Sequence, residues 1–443
     1  MNPNLKTVIV ILAFAATTFF PPAKALAQGN QEMPVAVQRL LINVRKAMDK
    51  NDYAAAVKLI QADQAKSKSN APCSHPIVCL ALGNCFLMQK QVGHAESAYL
   101  TALSLDKNYL DAQVNLAKVY TDTNRNAKAG EAFLAAYQLS DPQNPKYLYY
   151  AAVMALTDGK TQTAIRRFES LFSAHPGQVT RQWRENYANA LVTAQQWKKA
   201  APVIRGLIVQ SKGESRIKWQ EALLQIYLTI NDTGKALDLA GTLSRQAPSE
   251  ARWWKALVHI RLARGEYANA FEDLIIYSFI SPLTRQEKKL FADLSLQLNV
   301  PARAARIYET LLTGSNEKKS SPNQNRQIIN RLVCAYRQMG RGDKALAVLN
   351  RFDPQAGNPE LLLLKGDVLY ETKNYKAADK AFRTAARKNC SQKGQAWLMA
   401  GYAAWQYNDL VGSRSAFEQA AQYKRQRKDA LAAIAQLNRS SQM

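Results

Sequence analysis

"LLLLKGDVLYETKNYKAADKAFRTAARK", Leu361 to Lys388, carries one complete structural unit. An apolar run containing a small residue, Gly366, breaks at "TKNY". A second run follows, in which Ala378 is answered four residues later by Phe382. Residues four apart share one side of a helix. Gly366, twelve residues before Ala378, lets a second helix come close to the first. The stretch therefore predicts two helices folded back on each other around a small-to-large seam.

The same pattern recurs through the chain. The pairs are Ala56/Ile60, Ala95/Tyr99, Ala129/Phe133, Ala164/Phe168, Ala200/Ile204, Ala236/Ala240, Ala270/Leu274, Ala304/Tyr308, Ala345/Leu349 and Ala378/Phe382. An eleventh, Ser413/Phe417, has Ser in place of Ala. Successive first members lie 39, 34, 35, 36, 36, 34, 34, 41, 33 and 35 residues apart. Gly83, Ala117, Ala152, Ala188, Ala292, Gly366 and Gly401 stand twelve residues before the small residue. Tyr120, Tyr227 and Tyr336 stand nine before it, where a ring fills the gap between helices. Pro176, Pro248 and Pro282 close units because proline cannot continue a helix.

In this period and these landmarks the chain resembles the tetratricopeptide-repeat family from about residue 35 to 421. The resemblance implies an all-α fold, a right-handed superhelical solenoid of about eleven helix–turn–helix units. Each unit has an apolar face that it cannot bury alone, so neighbours must stack. Leu431, Ile434 and Leu437, on one side amid charges, predict a capping helix with a tail over 423–443. The polar run Gly314–Asn325, "GSNEKKSSPNQN", lengthens one spacing to 41. It is expected to join an N-terminal array, 35–313, to a C-terminal one, 326–422, with hinge freedom between them. Overpacking by Gly83→Leu or Gly366→Leu should cost about 1–3 kcal/mol.

Residues 1–27 read as a signal peptide: Lys6, then the apolar run Thr7–Phe20, a proline break and Ala25-Leu26-Ala27. A short linker, 28–34, follows. The apolar run is shorter than the ~20 residues a membrane-spanning helix needs, so a cleaved, periplasmic chain is expected, with an N-terminal inner-membrane anchor as the alternative. Cleavage would remove Lys6 and Lys24 and take the net charge from +25 to +23. Outside the cytosol that excess points to anionic envelope surfaces or an acidic protein face, not to nucleic acid.

The chain has five cysteines, three of them in "PCSHPIVCLALGNCF", Pro72–Phe86. Cys79 and Cys85, six residues apart on one helix, are separated by about 240° of rotation and cannot converge on a metal. Cys73 lies just before Ser74, a candidate helix cap. A Cys73–Cys79 disulfide is the expected staple, with Cys73–Cys85 as the competitor. Cys334 and Cys390 are expected to be small buried hydrophobes.

No pattern asks for catalysis, a cofactor or a metal. The G-x-G-x-x-A string in "MGRGDKA", Met339–Ala345, sits in an inter-helix turn and not after a strand, and Arg341-Gly342-Asp343 is the same turn. The histidines His75, His94, His175 and His259 are scattered over different units. A non-enzymatic scaffold is expected.

The resemblance also implies that first helices line a concave groove where a protein partner binds. On this register the groove residues are Arg252, Lys255 and His259 in one unit and Asn330 and Arg337 in another. Tyr370, Tyr402 and Trp405 belong to the last two. Basic and aromatic side chains together suit an extended peptide with some acidic character. The Lys/Asn clamp by which chaperone-binding relatives grip a terminal carboxylate is not reproduced as a set.

"GQAWLMAGYAAWQYNDLVGSRSAFEQAAQYKRQRKDA", with "WWKALVHIRLARGEYANAF" and "SPLTRQEKKLFADLSLQLNVPARAARIYETLL", is similar to exported tetratricopeptide proteins found with TonB/ExbB/ExbD-type energy-transduction systems in Gram-negative bacteria. It departs from them at Ser413 and in the cysteine-bearing second unit. That likeness implies a periplasmic adaptor helping a Ton-type motor engage outer-membrane transporters. The alternative is an envelope-assembly or polysaccharide-export scaffold whose cationic surface meets cell-wall or lipopolysaccharide polymer.

Overall fold

The computed structural model describes residues 33–66, 73–313, 322–352, 357–388 and 390–440. The expected signal peptide lies outside them. Every regular element among the described residues is helical. The chain divides into two compact lobes between Asp232 and Thr233.

The N-terminal lobe contains α1 (Val35–Asp49), α2 (Tyr53–Gln64), α3 (Pro76–Met88), α4 (Val92–Leu105), α5 (Leu110–Asp122) and α6 (Asn126–Leu139). It continues with α7 (Pro145–Thr157), α8 (Thr161–Ala174), α9 (Arg181–Thr193), α10 (Trp197–Gln210) and α11 (Gly213–Thr229). The C-terminal lobe contains α12 (Thr233–Gln246), α13 (Ala251–Ala263), α14 (Tyr267–Ile280), α15 (Arg285–Gln297), α16 (Pro301–Thr313) and α17 (Pro322–Gln338). It ends with α18 (Gly342–Phe352), α19 (Pro359–Glu371), α20 (Tyr375–Arg387), α21 (Lys393–Gln406), α22 (Leu410–Ala421) and α23 (Arg427–Ser440). Within each lobe every helix packs against the next in the chain, as a stack of hairpins does.

The hairpins are closed by one backbone device. Asn51, Lys90, Asn124, Gly159, Gln195, Asn231, Gly265, Asn299, Gly340, Lys373 and Asn408 adopt φ between 56° and 78°. Each stands five residues before the small residue of its unit, so these positions repeat at the sequence spacing. A left-handed residue ends the first helix and turns the chain into the second. At Lys373, Nitrogen-to-carbonyl bonds run from Lys373 to Tyr370 (3.0 Å) and from Asn374 to Leu369 (2.8 Å), satisfying the last carbonyls of α19. Asn and Gly hold most of these positions because they enter this conformation at least cost.

The seam is buried as the register requires. Ala56, Ala95, Ala129, Ala164, Ala200, Ala236, Ala270, Ala304, Ala345, Ala378 and Ser413 all have 0% exposure. Across it, a Cβ added to Gly83, Gly366 or Gly401 would lie 2.4–2.5 Å from the ring of Tyr99, Phe382 or Phe417. Glycine there is a close-approach requirement, because each ring occupies the space a side chain would need. Ser413 departs from Ala at no polar cost: its hydroxyl donates to the Gly401 carbonyl at 2.9 Å.

Two expectations meet different geometry. The helix cap before α3 is His75, with Pro76 in the first turn, and not Ser74. On α23 the inward residues are Ala430, Ala433 and Leu437, with Ile434 half-buried, while Leu431 is 54% exposed. Small residues let α23 seat closely, which turns Leu431 outward. The polar run 314–325 lies largely outside the described residues, and its flanking helices α16 and α17 contribute to one apolar cluster with Tyr308, Leu312, Leu332 and Val333.

Cys73 and Cys79 form a disulfide with Cα atoms 5.3 Å apart. Cys85, on the same helix, is buried and free, and burial pushes its thiol up to about 12. Cys390 is buried and Cys334 half-buried. No described helix is long and apolar enough to cross a membrane.

Candidate functional surface

The first helices of successive hairpins in the C-terminal lobe, α13, α15, α17, α19 and α21, carry all eight expected groove residues. The structure distributes these residues in three groups along that series.

On α13, Arg252, Lys255 and His259 are exposed. Spacings of three and four residues place them on one helix face. Lys255 reaches Glu287 of α15 at 2.8 Å. Glu287 is held on several sides: the Thr284 backbone N–H and hydroxyl each lie 2.8 Å from its Oε2, and the Tyr277 hydroxyl donates to its Oε1 at 3.2 Å. Thr284 in turn accepts from the Glu287 backbone N–H, completing a capping box at the start of α15. Burial alone would raise the Glu287 carboxyl, but Lys255 and the Thr284 donors bring it down to about 2. Arg252 donates to Glu250 at 2.9 Å.

On α17, Asn330 is exposed, and the Arg337 Nε donates to Glu371 of α19 at 2.9 Å. Between these groups, Asp293 of α15 receives Lys289 at 2.8 Å and the Tyr308 hydroxyl at 2.5 Å, with Arg331 of α17 at 3.9 Å. The cations of this face are thus tied to carboxylates, several of them on the next first helix.

Tyr370, Tyr402 and Trp405 are half-buried against the apolar cluster of α19–α23. Tyr402 and Trp405 both pack in T-shaped geometry with Phe417, with centroids 5.0 and 6.4 Å away. Tyr370 meets Tyr375 edge-on at 5.3 Å. These rings therefore present one side outward while their other side packs. Alanine at Tyr370 or Trp405 would remove packing as well as surface, so leucine is the cleaner probe of the exposed ring.

Sequence reasoning missed the acidic members, Glu287, Asp293, Asp367 and Glu371. The signal was present as opposite charges about one period apart, Lys255 with Glu287 and Arg337 with Glu371.

Two carboxyls of this lobe are pushed the other way. Burial raises Asp367 to about 6, with Arg337 opposing and Glu371 adding. Burial likewise raises Asp273 to about 6, with Arg261, 3.2 Å away, opposing. A folded-state pKa above the unfolded value of 3.8 means the folded state holds its proton longer. Stability therefore falls as pH rises from about 4 through 6. Glu287 has the opposite sign: its contribution is present above its ordinary 4.5 and lost as pH falls toward 2. Urea unfolding of this lobe across pH 4–7 should show the first effect, and Asp273→Asn with Asp367→Asn should flatten it. A profile unchanged by both substitutions would refute the assignment.

Among the described residues no three His, Cys, Asp or Glu side chains form a group that could hold a metal ion.

Residues 363–433, from α19 into α23, match the tetratricopeptide repeat family. No curated protein sequence matches the chain. Among solved structures it is similar to a tetratricopeptide repeat protein from Parabacteroides merdae, at 15% identity and TM-score 0.32, over 67% of this chain and 98% of that one. It is similar to yeast Tom70 at 13% identity and TM-score 0.31, over 92% and 96% of the two chains. For Naa15/Naa10 bound to HypK-THB the values are 12% and 0.41, over 87% of this chain and 68% of that one.

Proposed function

We propose that this chain is a non-catalytic tetratricopeptide-repeat scaffold of the Gram-negative periplasm that holds a protein partner along its first-helix face and serves a Ton-type transport system. The observation that carries the reading is the row of outward ring faces, Tyr370, Tyr402 and Trp405, beside the charged residues of α13–α19. Half-packed aromatic rings offer large contact area while losing little freedom on binding, which is the property of interface anchors. Exchange of an intramolecular pair such as Arg337–Glu371 for an acidic segment of the partner would add direction. Export rests on the pattern of residues 1–27. The Ton-type role rests on the likeness of the C-terminal hairpins described above.

A photo-crosslinking residue placed at position 370 or 405 in the native envelope should trap one discrete protein, a component of the Ton apparatus. The same residue at position 380, on the second helix α20, should not. Tyr370→Leu and Trp405→Leu should weaken that capture at least tenfold with helix content intact. Equal capture from position 380, or none from 370 and 405, would remove the first-helix face from the interface. A trapped protein unrelated to energy transduction would keep the scaffold and discard the Ton assignment. The polymer-binding alternative, favoured by the net charge of +25, predicts retention on envelope polysaccharide that collapses between ~0.15 and 0.5 M salt.

A further inference from the structure

Among the described residues of the C-terminal lobe, most ion-paired cations lie on first helices. There, Lys255, Lys289, Arg326, Arg331 and Arg337 each have a carboxylate within 4.0 Å. On α20, the second helix of its hairpin, Lys376, Lys380 and Arg387 are exposed, and none has an ion-pair partner among the described residues. At 100° per residue the three fall within about 40° of one another, along about 16 Å of helix. Lys373, at the left-handed turn before α20, and Lys388, at its C-cap, add exposed cations at the two ends of the helix.

Little negative charge offsets this row. From Lys373 to Arg439 the chain carries 13 Lys and Arg against four Asp and Glu. Of the four, Asp379 is buried, bound by Arg383 at 2.6 Å and by the Tyr407 hydroxyl at 2.9 Å. Asp409 accepts the Gly412 N–H at the start of α22. Glu418 and Asp429 remain exposed. The Arg383 Nη2 also donates to the Gly412 carbonyl at 2.9 Å, which fixes the start of α22 beside α20. The residue before Gly412 is Val411, an apolar side chain left 83% exposed.

A stripe of unpaired, exposed cations with an exposed apolar side chain at its flank has the composition of a surface that rests on anionic headgroups. We propose that Lys373, Lys376, Lys380, Arg387 and Lys388, with Val411, dock the C-terminal lobe onto an anionic lipid bilayer. The occupant follows from charge complementarity and from Val411, since a soluble polyanion would gain nothing from an apolar contact. The inference does not depend on what the first-helix face holds.

The test is co-sedimentation of the full chain with vesicles. Vesicles of phosphatidylcholine with 30% phosphatidylglycerol should bind it in low salt and release it toward 0.5 M, whereas pure phosphatidylcholine should not (~10 Å screening at 0.1 M). Insertion through the apolar run Thr7–Phe20 would not discriminate between the two lipids. Lys376→Glu/Lys380→Glu/Arg387→Glu should weaken partitioning about 100-fold or more. Lys376→Gln/Lys380→Gln/Arg387→Gln, which keeps good helix formers, should weaken it less but clearly. The control Lys58→Glu/Lys107→Glu/Lys146→Glu, which matches the triple glutamate variant in charge at exposed sites in the other lobe, should change it little. Equal binding to both lipids, equal loss in the control, or undiminished binding of both triple variants would overturn the proposal. So would capture by soluble heparin without capture by anionic vesicles.

Discussion

Phe382→Ala should cost the C-terminal lobe about 3–5 kcal/mol and Gly366→Leu about 1–3 kcal/mol, while the double variant should cost clearly less than their sum. Phe382 has 0% exposure, so truncation removes its whole buried surface and leaves a cavity. A Cβ on Gly366 would lie 2.5 Å from the Phe382 ring, so leucine there must displace that ring. With the ring gone, the leucine enters the space it vacated. Urea unfolding of the four proteins in the cycle gives the coupling directly. Strict additivity would mean that positions 366 and 382 do not meet, and the register would be wrong in the hairpin that defines it.

Loss of the Cys73–Cys79 bridge should cost about 2 kcal/mol locally, on the chain-entropy estimate for so short a loop. In a stack of hairpins that loss stays near its origin, because each hairpin touches mainly its neighbours. Hydrogen exchange should therefore quicken in α3 and α4 of the Cys73→Ser/Cys79→Ser variant. The amides of α19–α22 should be unaffected. The free thiol of Cys85, buried and pushed up to about 12, should resist alkylation in both proteins. Rapid labelling of Cys85 in the unmodified protein would contradict its burial, and unchanged exchange in α3 would contradict the assigned role of the bridge.

Much of the fold was legible because it repeats. A single Ala–x3–Phe pair says little, but eleven at one period identify the small, fully buried positions, and every one is buried. The close approaches at Gly83, Gly366 and Gly401 followed from the same alignment. The left-handed turns were legible at Asn and Gly. Lys90, Gln195 and Lys373 carry no such local signal, and only their place in the period predicts them. Leu431 and Ser74 were misread where local apolar or capping preference yielded to packing, since Ala430 and Ala433 seat α23 and Pro76 opens α3 one residue later.

The candidate surface was less legible. Helix register identifies which residues can face outward, and it placed all eight on first helices. It does not say that Lys255 and Arg337 are already tied to Glu287 and Glu371, because that depends on the distance between neighbouring hairpins. Nor does it say that Tyr402 and Trp405 share Phe417 as a support. The division of the chain at Asp232 and Thr233 had no compositional mark.

Amide hydrogen exchange over the whole chain, read peptide by peptide, tests the repeat architecture most directly. Protection should rise and fall at the spacing of the seam, with minima at the turns around Asn51, Lys90, Asn124, Gly159, Gln195, Asn231, Gly265, Asn299, Gly340, Lys373 and Asn408. Protection running unbroken through those turns, or minima falling inside the paired helices, would contradict it.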